Sequence, residues 1–178
     1  VFLVSSSRAK DVKSLTNNFK IGDNKLFLNA KDVNSYVAAV LADFVREKLL
    51  AAGVSFSFET VMSHPSKIET LLRASDLGYR TYLYYIATES PFINSGRVAT
   101  RVQKGGHNVP DSKLQERYAR SLGLLLNAVK VVDRAFLFDN SGQEHRLVAE
   151  VTNGTDVKVL MDEPPLWFLR YIVDKSNH

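Results

Sequence analysis

Arg97 and Arg101 stand four residues apart in the run Asn94-Ser95-Gly96-Arg97-Val98-Ala99-Thr100-Arg101. On a helix that spacing projects both guanidinium groups from one face, and their forked donors match phosphate oxygens better than lysine does. The chemistry such a pair suits is holding an anion while charge moves on it. The run continues into Gly105-Gly106-His107-Asn108-Val109-Pro110, a hinge of the kind a mobile lid needs, where His107 can touch phosphate or hold the turn. Between Asn94 and Ser121 six Lys or Arg stand against two acids, a local excess equal to the net +4 of the whole chain. The basic surplus therefore has one address, and an anionic ligand is its expected occupant.

Glu59 closes the stretch Val54-Ser55-Phe56-Ser57-Phe58, whose alternation is the period-two pattern of a strand, and Thr60 and Ser63 follow it. A carboxylate ending an apolar strand needs a partner: a substrate hydroxyl, a neighbouring Arg or a backbone amide. Two more strand ends carry polar groups, Thr88-Glu89 after the apolar run 80–87 and Asp139-Asn140-Ser141 after Ala135 to Phe138. Ligands of open parallel sheets bind outside the carboxyl ends of the strands, so acid, amide and arginine groups are expected to converge on one crevice. Asp139-Asn140 suits an Asx turn as well as a ligand contact. The four histidines lack ligand spacing, and Ser63 has neither a His or Lys at motif spacing nor elbow glycines, so neither a histidine metal site nor a covalent serine mechanism is expected.

The elements that must position these groups follow from periodicity. A helix is expected from Val33 to Leu49, capped by Asn34 and closed by Gly53, followed by the strand 54–58. Pro65 opens a second helix that Gly78 ends before a buried strand over 80–87, which makes a βαβ unit with a parallel pair. Phe92 to Lys104 reads as the lid helix, and Asp111 to Asp133 as a long helix with Leu114, Tyr118, Leu122, Leu125 and Val129 on its core face. Ala135 to Phe138 is a short strand, and Asn153-Gly154 marks a hairpin between Arg146–Val151 and Asp156–Leu160. After Pro164-Pro165 a terminal helix carries Trp167, Phe168, Tyr171 and Ile172, with Trp167 packing it onto the sheet. The expected fold is one α/β domain over 1–178, a parallel sheet flanked by helices, with 1–31 weakly patterned and 88–113 as a basic lid.

Zero cysteines exclude disulfides and thiolate metal sites, which fits a reducing cytoplasm. The opening Val1-Phe2-Leu3-Val4 is too short for a membrane span, so no membrane is an expected partner. The aromatic residues do not interleave with the basic ones as a base-stacking surface requires, so nucleic acid is not expected either.

In series, Ser55-Phe56-Ser57-Phe58-Glu59-Thr60-Val61-Met62-Ser63, Gly78-Tyr79-Arg80, Arg97-Val98-x-x-Arg101-Val102-x-x-Gly105-Gly106-His107-x-Val109-Pro110, Arg117-Tyr118-x-Arg120-Ser121 and Phe138-Asp139-Asn140-Ser141 resemble the zeta toxin-like P-loop kinases. That family includes UDP-N-acetylglucosamine kinases and many stand-alone predicted ATPases. The resemblance runs from about Asn34 to the end of the chain. It implies phosphoryl transfer from ATP, with Mg²⁺, to a hydroxyl of a small acceptor such as a UDP-sugar. Glu59, Thr60 and Ser63 fall on the acceptor side, Arg97 and Arg101 on the lid, and His107 and Asn140 on the nucleotide side. An antitoxin-like protein is a further partner the resemblance implies.

The chain departs from that pattern at its beginning. It contains no Gly-x-x-x-x-Gly-Lys-Ser/Thr, the loop whose amides and Lys hold nucleotide phosphates. Leu28-Asn29-Ala30-Lys31-Asp32 lacks the family's Pro-Asp, which leaves Asp32 a poor match for its general base. The phosphate loop and base are expected upstream of Val1, and the chain alone is expected to be inactive and to bind ATP weakly at best. The alternative is a binding or interaction protein that kept the fold and lost catalysis. Loss of the first strand exposes a sheet edge, to be covered by residues 1–31 or by self-association.

Overall fold

The computed structural model describes residues 19–23, 25–28 and 34–176, which fall into two compact units divided between Ser57 and Phe58. The first unit contains a hairpin of β1 (Phe19–Gly22) and β2 (Lys25–Leu28) and the helix α1 (Ser35–Ala51). As its sequence predicts, Asn34 caps α1: its Oδ1 accepts the Val37 N–H at 3.0 Å, and Gly53 follows the helix in left-handed geometry at φ +67°. Val37 and Val40 are buried there, with Leu28 and Leu41 packed on them. Asp32 lies outside the described residues, as do residues 1–18, 24 and 29–31 of the weakly patterned segment 1–31.

The second unit holds the helix α2 (Ser66–Asp76), the strand β3 (Tyr82–Ala87), the helices α3 (Pro91–Gln103) and α4 (Asp111–Lys130), and the strands β4 (Arg134–Asp139), β5 (Arg146–Thr152) and β6 (Asp156–Val159). Its last helix, here α5, joins a turn at Leu166–Phe168, a π-helical turn at Leu169–Val173 and a final turn at Asp174–Ser176. The strands form one sheet in the order β3-β4-β5-β6. Only β3 and β4 are parallel, from Tyr82 opposite Arg134 to Ala87 opposite Asp139, and α3 and α4 make the crossover between them. Asn153 and Gly154, both at positive φ, turn β5 into β6 as the sequence predicts.

Two expectations are corrected. Among the described residues the alternating stretch 54–58 is part of no strand, so no described βαβ unit includes it and the described parallel pair is the later one, β3 with β4. This stretch joins neither described sheet. The sheet is consequently mixed. Nor is β3 buried on both faces: Tyr85 and Ala87 are buried, whereas Tyr84 is 65% exposed and Ile86 60%.

The asymmetry has a simple cause. Leu122, Leu125, Ala128 and Val129 of α4, Trp167, Phe168 and Ile172 of α5, and Ile68 and Leu71 of α2 join Tyr85, Ala87, Ala135, Leu137 and Val151 in one core cluster. The helices therefore cover the sheet face of the odd-numbered β3 residues, and among the described residues none covers the other. On that outer face Tyr84 stacks on Phe136 with centroids 5.0 Å apart, the Arg134 guanidinium lies over Phe136, and Arg134 pairs with Glu150 at 3.0 Å.

A latch fixes the amino ends of the parallel pair. Asp133 Oδ2 accepts from Thr81 N–H at 2.6 Å and Thr81 Oγ1 at 3.0 Å, and Thr81 Oγ1 accepts from Asp133 N–H at 3.1 Å. The two Thr81 bonds hold the Asp133 carboxyl below its ordinary range.

Candidate functional site

The carboxyl ends of β3 and β4 lie side by side, with Ala87 opposite Asp139, and the polar residues after each strand meet there. Asn140 N–H donates to the Ala87 carbonyl at 2.7 Å, extending the ladder by one residue. Asp139, only 3% exposed, accepts from Ser141 N–H at 3.2 Å, Ser141 Oγ at 2.8 Å and the Trp167 indole at 3.0 Å. Its carboxylate is thus consumed by an Asx turn and an anchor for α5, so it positions neighbours and offers no oxygen to a ligand. The Trp167 indole finds the acceptor that a buried N–H requires.

One peptide unit is gripped at both ends. The Thr88 carbonyl accepts from the Tyr118 hydroxyl at 2.8 Å, and the Glu89 N–H donates to Ser141 Oγ at 2.7 Å. The Thr88 hydroxyl donates to the Ser90 carbonyl and accepts from Asn94 Nδ2 at 3.0 Å, and Ser90 Oγ caps α3 by accepting the Phe92 N–H, with Pro91 at the first turn. The start of α3 is therefore fixed to the strand end. Burial pushes the Tyr118 hydroxyl up to about 12; the Glu89 charge pushes the same way and Arg170 opposes it.

The sequence-predicted residues divide into two sets. Arg97 reaches this edge: its Nη2 donates to the Asn140 carbonyl at 2.7 Å and the Gly142 carbonyl at 3.3 Å, tying α3 to the β4–β5 loop. Arg101 does not join it there. Its Nη2 donates to the His107 carbonyl at 3.0 Å, which closes the Gly105-Gly106 turn, with Gly105 at φ +86°. His107 contributes that carbonyl and is exposed. Glu59 and Thr60 lie exposed in irregular chain, where Thr60 Oγ1 accepts the Met62 N–H at 3.1 Å and Met62 enters the core; Ser63 is half-buried. No described hydrogen bond joins Glu59, Thr60 or Ser63 to the β3–β4 edge. Of the predicted site, Arg97, Asn140 and Ser141 are brought together with Thr88 and Glu89.

Beside this edge opens a cleft of about 260 Å³ lined by Glu89, Pro91, Tyr118, Leu166, Trp167, Arg170 and Tyr171. Sequence reasoning assigned Tyr118, Trp167 and Tyr171 to packing and passed over Arg170. The legible signal was chemical: Trp167 carries an indole N–H that needs a buried acceptor, and Arg170 interrupts the apolar run 166–173. Among the described residues no group of three or more His, Asp or Glu is placed to hold a metal ion.

No family model matches the chain, and no solved structure does. A protein of Haemophilus influenzae, described only as uncharacterized, is 31% identical over 65 residues, which is 36% of this chain and 46% of that protein. This chain therefore spans under half the length of the curated relative it matches, and the similarity carries no activity with it.

Proposed function

We propose that this chain is the acceptor-binding and lid portion of a phosphotransferase that acts on a hydroxyl of an anionic small molecule, a UDP-sugar being the acceptor class. The observation that carries the reading is Arg97, a lid-helix cation held over the carboxyl edge of the parallel pair by two carbonyls of the Asn140–Gly142 loop. Its bonds there use one terminal nitrogen, which leaves the rest of the planar fork for oxygens of a ligand. The motif series that includes Arg97, Arg101 and Asp139-Asn140-Ser141 supports the same reading.

ATP and Mg²⁺ belong to the proposal, but the described residues do not fit them. The chain has no amide cradle followed by Lys, and its described acids form no metal cluster. What its residues do is bind and orient the acceptor. The test is ATP-dependent phosphorylation of a panel of UDP-sugars by the intact reading frame that contains this chain, with Arg97→Ala beside it. Transfer to a UDP-sugar, with kcat/KM at least tenfold lower in the variant, supports the proposal. No transfer, or a variant within twofold, rejects it.

A second reading, an interaction protein that binds no ATP, draws on the outer face of β3 and on its edge away from β4, which pairs with no described strand. Thr81 and Ala87 direct their carbonyls to β4, so the alternate residues Tyr82, Tyr84 and Ile86 direct N–H and C=O away from it. An antiparallel two-fold centred on Tyr84 would satisfy all three residues in each copy and set Tyr82 against Ile86 on the exposed face. Sedimentation showing a dimer that Tyr84→Lys dissolves supports this reading. A monomer at every concentration rejects it.

A further inference from the structure

The cleft beside the β3–β4 edge holds two opposite charges that the fold does not use. Glu89 and Arg170 both line it, and among the described residues neither side chain makes an ion pair or hydrogen bond. They are not incidental surface charges on loose chain. Glu89 extends from the peptide unit gripped by Tyr118 and Ser141, and Ser141 is in turn held by the buried Asp139 that also binds Trp167. Arg170 sits on the π-helical turn of α5, a widened turn of the kind that recurs at functional sites. The rest of the lining is apolar and aromatic: Tyr118, Trp167 and Tyr171, with Pro91 and Leu166.

We infer that this cleft binds an amino acid zwitterion with a flat apolar side chain, its ammonium taken by Glu89, its carboxylate by Arg170 and its side chain by the aromatic wall. A ligand with one charge would neutralise only one of the two groups; an ammonium and a carboxylate in one molecule answer both. The chemistry of the wall favours an aromatic body, which stacks on tyrosine without needing further polar partners. The inference concerns binding alone and does not rest on phosphoryl transfer.

Trp167, the one tryptophan of the chain, lies in the cleft wall, so its fluorescence reports occupancy without a label. The probes are L-phenylalanine, N-acetyl-L-phenylalanine, which lacks the ammonium, and L-phenylalaninamide, which lacks the carboxylate. The expected result is a saturable change with phenylalanine and at least tenfold weaker binding of each derivative. Glu89→Gln should bind phenylalanine at least tenfold more weakly and lose its preference over the N-acetyl derivative; Arg170→Gln should lose its preference over the amide. Equal response to all three probes, or no saturable response to phenylalanine at about 10 mM, overturns the inference. The comparison of probes on the unaltered chain stands even where a variant fails to fold.

Discussion

Asp139→Ala should be the most damaging single substitution at the β3–β4 edge, and its size can be worked from the bonds it removes. The carboxylate is 3% exposed and accepts from the Trp167 indole, the Ser141 hydroxyl and the Ser141 amide. Removing it strands a buried indole N–H, which costs about 1 to 3 kcal/mol, and releases the Ser141 turn that holds the Glu89 amide, worth about 1 to 2 kcal/mol more. The sum, about 2 to 5 kcal/mol, is a large part of the roughly 5 to 15 kcal/mol that domains possess. Asp139→Asn separates charge from shape: it keeps one acceptor for Trp167 but turns an NH₂ toward a donor at Ser141, so its cost is nearer 1 to 2 kcal/mol. Urea unfolding followed by Trp167 fluorescence measures both. At a slope of about 2 kcal/mol per molar, the midpoint should fall by about 1 to 2.5 M for the alanine variant and by about 0.5 to 1 M for the asparagine. An alanine variant within about 0.5 M of the parent would refute the claim that this carboxylate organises the edge.

Other outcomes follow from the same structure. Asp133 has a depressed folded pKa, so the stability it contributes is present above the ordinary carboxylate value and is lost as pH falls through the folded one; Asp133→Asn should flatten the acid limb of a stability profile measured by thermal melts. Tyr85 and Tyr118 are both pushed up to about 12, chiefly by burial, so stability should fall between about pH 10, where the unfolded chain ionises, and pH 12, and absorbance should show two phenols ionising late. Gly154→Ala should cost about 2 kcal/mol or more in urea melts, because φ is +72° and the new Cβ would lie 2.7 Å from the Lys130 carbonyl oxygen. Arg97→Ala should speed amide exchange at 140–142 while leaving β5 protected, since the guanidinium is what ties α3 to that loop.

Local signals were legible where one residue decides local geometry. Asn34, Gly53, Gly78 and Asn153-Gly154 each act through their own backbone or the next turn, and each sits where the sequence places it. Strand pairing was not legible, because it depends on what lies beside a segment. Val54, Phe56 and Phe58 alternate as a strand would, yet remain irregular, and the run 80–87 reads as buried on both faces although helices cover only one. The same limit applied to the site. Thr88-Glu89 and Asp139-Asn140-Ser141 were marked as strand ends, and the parallel pair joins them; Glu59 was tied to a stretch that joins no described sheet. Arg170 escaped notice because a cation on a terminal helix reads as solvated until Glu89, some eighty residues earlier in the sequence, is seen to line the same cleft.

The central claim is that an anionic small molecule docks at the carboxyl edge of the β3–β4 pair under Arg97. The direct measurement is an amide chemical-shift titration of the isotopically labelled chain with UDP-N-acetylglucosamine, and with inorganic phosphate as the minimal anion. Saturable shifts confined to Thr88 through Arg97 and Asn140 through Gly142, abolished by Arg97→Ala, are the predicted result. Shifts centred on Arg101 and His107 instead, or none that saturate, would contradict the account.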